Sequence, residues 1–278
     1  MTWKYSDEAY TEYTRTTWNE SAAHYDSWAR NLSPYRRDVL RSVAPRPGEE
    51  FLDLATGPGE PALSIAQRVG PRGRVVGVDI SREMIAIARR SARESGVGHA
   101  RFLTMDCSHL RFPDASFDAV VSCFGFQIFT DPQRVALESR RVLRKGGRIA
   151  LSLWGPPERT PSVNAIIGPM MRFAEPDEAG YLPSTFEMGA PGQLSAFLRA
   201  AGFRNPRERR VSHLSFYRDA DDYLESIQRS TPIGHSLSEE PARVRARVQR
   251  ETRANLRGWT TQRGIEIPGE AVIGTARA

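Results

Sequence analysis

Between residues 50 and 154 the chain alternates short apolar runs with amphipathic segments, and this alternation constrains the fold more than any other feature. Apolar runs bounded by turn residues indicate buried strands, and a period of 3.6 residues indicates helices. The predicted strands are 50–55, 74–79, 101–106, 119–124 and 148–154, and the predicted helices are 61–69, 81–95 and 131–143. Such alternation predicts an α/β fold with a Rossmann-like, doubly wound, mostly parallel sheet.

The segments that flank this core have a different pattern. Trp18, Ala22, Tyr25 and Trp28 form an aromatic stripe at helical spacing, and prolines and aromatic residues crowd positions 155–189. We predict further helices at 191–201, 219–227 and 238–256 and further strands at 211–217 and 271–276. The expected divisions are an N-terminal helical lid at 1–35, a Rossmann-like core at 36–154, an inserted cap segment and helix at 155–202, and C-terminal strands and helices completing the sheet at 203–278.

Composition limits the class of protein. The formal net charge is +6, but the basic residues are almost all arginines scattered among acids, which does not favour a nucleic-acid partner. The two cysteines, Cys107 and Cys123, are too few for a disulfide scaffold or a thiolate metal site. No apolar run approaches the roughly 18 residues of a membrane span, and the N-terminus is polar. We therefore expect a cytoplasmic protein with no membrane partner and no metal.

Acidic residues stand at the ends of three successive predicted strands: Asp53, Asp79 and Asp106. Ligands of open α/β sheets bind at these carboxyl ends, and glycines such as Gly57 and Gly59 allow close backbone approach. The glycine pattern followed by Asp79 also fits a dinucleotide fingerprint. However, Asp53 near the mouth of the turn would repel a pyrophosphate and would favour an ammonium group. S-adenosylmethionine (SAM) carries such a group, a sulfonium, a ribose for Asp79 and an adenine for Asp106 and the backbone N–H of Cys107.

The motifs resemble those of the class I SAM-dependent methyltransferases over roughly residues 45–155. The segment from Asp53 to Gly59 is similar to their first motif, with Ala55 in place of the usual first glycine, and 75–81 with Met84 is similar to their second. Segments 106–118 and 141–147 are similar to the family's later turns. Within this family, the motifs most resemble those of the ubiquinone/menaquinone-type C-methyltransferases and of bacterial natural-product methyltransferases. The resemblance implies SAM as cofactor and S-adenosylhomocysteine (SAH) as product.

The resemblance and the strand ends together predict the binding residues. In the family, Met84 borders the adenine, and a tyrosine such as Tyr25 covers the methionine part of SAM. The predicted cofactor contacts are Asp53, Ala55, Thr56, Gly57, Gly59, Asp79, Ile80, Met84, Asp106, Cys107 and Cys123. The predicted acceptor contacts, which would form an apolar pocket, are Trp18, Phe124, Phe126, Gln127, Phe173, Tyr181 and Phe186. Among the five histidines, His24 beside Tyr25 is the candidate catalytic base, and Tyr25 is named with it as catalytic.

We therefore predict a SAM-dependent methyltransferase that methylates a carbon, or an oxygen, of an apolar or aromatic small molecule in bacterial secondary metabolism. Methyl transfer needs orientation and exclusion of water more than an essential base. The N-terminal helices could also be exchanged between the protomers of a homo-oligomer. Two alternatives stay open from the sequence: an NAD(P)-dependent oxidoreductase that uses the same glycines, and a non-catalytic module that binds SAM or SAH.

Overall fold

The computed structural model describes residues 7–173 and 184–278 of the chain. Before the first strand this part is helical, with α1 at Asp7–Ser21, a 3-10 turn at Ala22–His24, α2 at Asp26–Ala29 and α3 at Ser33–Val43. Pro34 lies in the first turn of α3, where an absent N–H leaves no hydrogen bond unmade. The sequence correctly predicts helices here, although the chain forms several short ones.

The alternation predicted for the centre of the chain is present. In order, the elements are β1 (Glu50–Leu54), α4 (Ala62–Val69), β2 (Arg74–Asp79), α5 (Arg82–Glu94), β3 (Ala100–Thr104), β4 (Phe117–Cys123), α6 (Pro132–Val142) and β5 (Leu143–Trp154). Ser81 is the predicted N-cap of α5, and its hydroxyl accepts the Met84 N–H at 3.1 Å. The side chain of Asp131 caps α6 in the same way by accepting the Arg134 N–H at 2.8 Å.

The C-terminal part differs from the prediction in two places. Its elements are α7 (Pro161–Phe173), α8 (Ser184–Glu187), α9 (Gln193–Ala200), β6 (Arg204–Tyr217), α10 (Ala220–Ser230), α11 (Pro232–Glu239), α12 (Ala242–Leu256), β7 (Thr260–Thr261) and β8 (Gly264–Arg277). The helix predicted at 238–256 is present but begins only at Ala242, because Glu240 is extended before Pro241 and separates α11 from α12. The proline-rich stretch contains a full helix, α7, with Pro169 inside it.

One eight-stranded sheet organises the molecule, in the order β3-β2-β1-β4-β5-β8-β6 with β7 paired to β8. The first five strands are parallel, and β8 runs antiparallel to its neighbours β5, β6 and β7. The predicted mostly parallel, doubly wound sheet is therefore confirmed. The order in which strands are added reverses between β1 and β4, because β2 and β3 lie on one side of β1 and β4 and β5 lie on the other. The carboxyl ends of β1 and β4 therefore mark the point where such sheets bind ligands.

Three apolar clusters hold the layers together. Helices α3, α4 and α5 cover one face of the parallel strands, and α6 and α9 cover the other. The third cluster joins α7, α10, α11 and α12 to β6, β8 and the N-terminal helices. Within the described ranges, no helix is both long and apolar enough to cross a bilayer. The third cluster matters most for function, because it places α7 and α11 beside the carboxyl ends of the strands.

The close approach of α11 to α10 gives a stability prediction. A Cβ on Gly234 would press into the backbone of Gln228, so Gly234→Ala should lower the free energy of unfolding by about 1–3 kcal/mol. Gly258→Ala is the matched control, because no atom lies within 4 Å of the added Cβ. Urea unfolding of both variants measures the difference, and equal stability of the two would contradict the packing of α11 on α10.

Candidate active site

The carboxyl ends of the parallel strands open into a cavity of about 680 Å³. The turns after β1, β2, β3 and β4 form one side of this cavity, α1 and Tyr25 cover it, and residues of α7, α8 and α11 form the opposite side. The charged residues that line it are mostly exposed, whereas the aromatic residues Tyr10, Trp28, Phe124 and Trp154 are buried. The cavity therefore has a polar rim and an aromatic interior.

The turn after β1 needs an unusual backbone. Ala55, Gly57 and Gly59 have φ angles of 52°, 55° and 112°, in the left-handed region that favours glycine. A Cβ on Gly59 would lie 3.3 Å from the Cβ of Ala88, so this glycine also allows α5 to pack closely. The Thr56 N–H donates to the Val78 carbonyl at 3.0 Å, which ties the turn to β2. Ala55 and Gly57 line the cavity, while Thr56 and Gly59 support the turn from outside it.

Asp53 lies beneath this turn and is fully buried, away from the cavity wall. Its Oδ2 accepts the Thr56 hydroxyl at 2.7 Å and the Ala62 N–H at 3.2 Å. Its Oδ1 has no hydrogen-bond partner among the described residues. Burial raises the pKa of Asp53 to about 7. This position does not support the direct contact with a ligand that the sequence predicts. The unpartnered oxygen nevertheless favours a cation bound above the turn.

Asp79 ends β2 and does line the cavity. One carboxylate oxygen accepts the Gly57 N–H and the other accepts the Ser81 N–H, both at 2.9 Å. Burial raises its pKa, and these hydrogen bonds oppose that shift. Asp106 follows β3 and also lines the cavity, with one oxygen held by the N–H and hydroxyl of Ser108 at 2.8 Å. Each carboxylate keeps lone pairs that a ribose diol or an exocyclic amine can use.

Both cysteines line the cavity, together with Ile80 and Met84. Burial raises the pKa of Cys107 well above its usual range and the pKa of Cys123 to about 12. The thiols are therefore protonated and act as small apolar groups rather than as nucleophiles.

Tyr25 covers the glycine turn, with its ring 3.9 Å from the position of a Cβ on Gly57. Trp18 packs edge-on against it, with ring centroids 5.8 Å apart. Burial raises the pKa of the Tyr25 hydroxyl, and a hydrogen bond from the Arg36 guanidinium opposes this. The Arg36 Nε atom is buried and has no partner among the described residues. Sequence reasoning missed Arg36, because nothing in α3 marks one arginine above its neighbour Arg37.

The aromatic interior centres on Phe124, which follows β4 with a φ of 59°. Its ring stacks on Trp154 with centroids 4.1 Å apart, and Tyr35 meets both rings edge-on. Gln127 lines the same region, and its Oε1 accepts the Trp154 N–H at 3.0 Å. Trp18, Phe124 and Gln127, three of the predicted acceptor contacts, all line this cavity. Trp154 was missed because its position in the sequence is that of the last residue of a buried strand.

Other predicted residues lie elsewhere. His24 is exposed and does not line the cavity, because the 3-10 turn directs only Tyr25 inward, so the geometry does not support His24 as a base. Phe126 is buried between Phe129 and Phe197 in the cluster under α9. Two residues of the predicted cap are also outside the cavity wall: Phe173, stacked under Arg247, and Phe186, buried in the third cluster. Tyr181 lies outside the described residues.

In the part of the chain that is described, no group of three or more His, Cys, Asp or Glu residues could hold a metal ion. The cavity instead offers the strand-end carboxylates of Asp79 and Asp106, a glycine turn with Asp53 buried beneath it, an aromatic cover and an apolar chamber. This set of groups fits SAM, which has an ammonium, a carboxylate, a sulfonium, a ribose and an adenine.

Comparisons with known proteins agree with this fit. The model of a family described as "Methyltransferase domain" matches residues 51–147. The chain belongs to the class I SAM-dependent methyltransferases. Over 201 residues it is 36% identical to the demethylmenaquinone methyltransferase of Thermus thermophilus, a match that covers 66% of this chain and 90% of that protein.

Two further relatives bear on the acceptor and the fold. The chain is 36% identical over 185 residues to the nocamycin O-methyltransferase of Saccharothrix syringae, covering 63% of this chain and 66% of that one. The crystal structure of the [4+2]-cyclase SpnF superposes with a TM-score of 0.56 at 22% identity, covering 90% of this chain and 82% of that one. The family assignment confirms SAM as the cofactor and leaves no role for the dinucleotide alternative.

The left-handed backbone of Ala55 gives the prediction of this section. Ala55→Gly should raise the free energy of unfolding by about 0.5–1 kcal/mol, because glycine adopts this conformation without a Cβ clash. Ala62→Gly, at the start of α4, should lower it by a similar amount. Thermal and urea unfolding of the pair measure both changes, and destabilisation by Ala55→Gly as large as that by Ala62→Gly would refute the strain.

Proposed function

We propose that this enzyme transfers the methyl group of SAM to a carbon, or an oxygen, of an apolar small molecule with an aromatic or similarly planar ring. The observation that carries the proposal is the continuity of one cavity from the strand-end carboxylates to the aromatic chamber of Trp28, Phe124 and Trp154. A ring that stacks on these side chains would lie in a dry chamber joined directly to the cofactor site.

The relatives support the two positions of transfer. One is named for demethylmenaquinone and another, 31% identical over 217 residues, as a ubiquinone/menaquinone C-methyltransferase, whereas the nocamycin enzyme is named an O-methyltransferase. Two of these acceptor names denote quinones, which are planar and apolar. We extend the proposal to bacterial natural-product biosynthesis on the likeness to the nocamycin enzyme.

We also propose a role for each cofactor residue. We assign Asp79 to the ribose hydroxyls and Asp106 to the adenine amine, with Met84 and Ile80 against the adenine ring. Arg36, whose Nε is buried without a partner, is assigned to the carboxylate of the methionine part. Asp53 acts from beneath the turn, where its free oxygen favours the positive charges above it.

The chain's own contribution to the reaction is orientation and exclusion of water. SAM supplies an electrophilic methyl group on a sulfonium, and a nucleophilic atom of the acceptor must approach it in line. Tyr25 and Trp18 close the methionine end, and the Phe124–Trp154 stack provides a flat wall for the acceptor. Holding two reactants in this way can contribute on the order of 7–11 kcal/mol to the rate.

A cavity-filling variant tests the acceptor site. Ile233 lines the cavity from α11, so Ile233→Trp should lower kcat/KM for the acceptor at least about tenfold by occupying the ring's volume. Its SAM affinity should stay within about twofold of the wild type, because the cofactor carboxylates lie at the strand ends. Met171→Trp adds the same bulk on the exposed face of α7 and serves as the control.

The assay follows SAH formation from SAM with a reduced short-chain demethylmenaquinone, and with a polar nucleoside as the negative acceptor. Nuclear magnetic resonance of the product then distinguishes carbon from oxygen methylation. Equal loss in Ile233→Trp and Met171→Trp would contradict the assigned acceptor site. Binding of SAM without SAH formation from any planar apolar acceptor would favour the non-catalytic module.

The raised pKa of Asp53 predicts a pH dependence of cofactor binding. Cationic SAM favours the ionised carboxylate and lowers its pKa below about 7, so binding releases protons and tightens as pH rises from 5.5 to 7.5. We expect about a threefold to tenfold gain in affinity across this range. SAH, which lacks the sulfonium charge, should gain less.

Calorimetry in two buffers of different ionisation enthalpy measures the released protons directly. Asp53→Asn keeps an acceptor for the Thr56 hydroxyl but does not titrate, so it should flatten the pH dependence that the wild type shows. A pH dependence that is identical in the variant and the wild type would assign the titration to another group.

A further inference from the structure

Helix α1 covers the cavity, and one of its side chains is bonded to the strand end that carries Asp79. The Asn19 Oδ1 atom accepts the Ser81 hydroxyl at 2.8 Å and the Glu83 N–H at 3.4 Å. A backbone N–H can only donate, so the oxygen of the Asn19 amide must be the atom that faces α5. Asn19 thereby supplies α1 with a bond to the first turn of α5.

Ser81 connects this bond to the proposed ribose site. Its N–H donates to Asp79 Oδ1 at 2.9 Å, and its hydroxyl accepts the Met84 N–H while it donates to Asn19. Ser81 is therefore hydrogen-bonded both to Asp79 and to α1, and it links the proposed ribose site directly to this helix. Any ligand that fixes the Asp79 carboxylate also fixes Ser81, the donor on which the Asn19 contact depends.

The opposite side of α1 is attached differently. The Tyr13 hydroxyl shares a hydrogen bond of 2.7 Å with Ser236 of α11, and the Thr11 and Thr130 hydroxyls lie 3.2 Å apart. These contacts reach the acceptor side of the cavity and do not involve Asp79 or Ser81. Helix α1 is thus hydrogen-bonded at the cofactor end through Asn19, and it has separate contacts at the acceptor end, which include an ion pair between Glu20 and His235 of α11 at 3.1 Å.

We infer that Asn19 is a positioning residue that couples occupation of the ribose site to closure of α1 over the acceptor chamber. This inference rests on the proposed contact between Asp79 and the ribose. In the closed state the cofactor holds Asp79 and Ser81 in place, Ser81 holds Asn19, and α1 excludes water from the aromatic chamber. The Tyr13 contact strengthens closure whether or not the cofactor is bound.

Trypsin can report on closure, because Arg15 is the only lysine or arginine between Lys4 and Arg30. Cleavage after Arg15 requires α1 to leave its position and unfold locally, so its rate follows the open fraction. The experiment measures the appearance of the fragment that begins at Thr16, with and without saturating SAH. Calorimetry on each variant first establishes the SAH concentration that saturates it.

In the wild type, SAH should slow this cleavage about tenfold, which corresponds to a tenfold smaller open fraction. In Asn19→Leu, saturating SAH should slow it less than about twofold, because the link to Ser81 is missing. Asn19→Asp keeps an oxygen at the acceptor position and should restore protection by SAH. Tyr13→Phe should accelerate cleavage with and without SAH by the same factor.

Protection of Asn19→Leu equal to that of the wild type would overturn the inference, and so would SAH binding to the wild type without any protection. Failure of SAH to bind the wild type would instead remove the proposed cofactor site, and the coupling with it. An Asn19→Leu protein that unfolds globally would show faster cleavage after Arg30 and Arg41 as well. In that case Asn19→Ser replaces Asn19→Leu, and its protection by SAH is compared with that of Asn19→Asp.

Discussion

The Asp79 carboxylate is the interaction on which the site depends. It accepts one N–H from the glycine turn after β1 and one from the start of α5, so a single side chain holds two loops from neighbouring strands in register. A carboxyl group buried to this extent needs such donors around it. The same donors leave part of each oxygen free, so the group that organises the turns also remains able to bind a diol.

The contrast between rim and interior explains how the cavity can accommodate two different ligands. Charged residues of α1 and α6 stand at the exposed rim, while the buried interior is formed by aromatic rings. A sulfonium loses its charge as the methyl group leaves it, and water stabilises that charge before transfer. A chamber from which water is excluded therefore favours the reaction, and an apolar acceptor provides the exclusion from the other side.

The sequence predicts the sheet and the strand-end acids because both are local properties. The period of the apolar residues determines each strand, and the first polar residue after a buried strand lies at its carboxyl end. Arg36, Asn19 and Trp154 carry no such local signal. Only tertiary packing brings Arg36 to Tyr25 and Asn19 to Ser81, and only the sheet brings Trp154 to the cavity. His24 and Phe126 show the converse error: each is one or two residues from a cavity residue, but a turn directs its side chain elsewhere.

Strain at the two central turns completes this argument. Ala55 after β1 and Phe124 after β4 both have left-handed backbones, and a Cβ on the neighbouring Gly125 would lie 3.0 Å from that of Ala55. Such conformations cost about 1–3 kcal/mol each and persist only where surrounding contacts hold them. For Phe124 those contacts are the stack on Trp154 and the edge of Tyr35, whose hydroxyl donates to the Gly269 carbonyl at 2.7 Å. The antiparallel strand β8 thus stabilises, through Tyr35, the turn that faces the acceptor, which gives the C-terminal strands a direct part in shaping the active site.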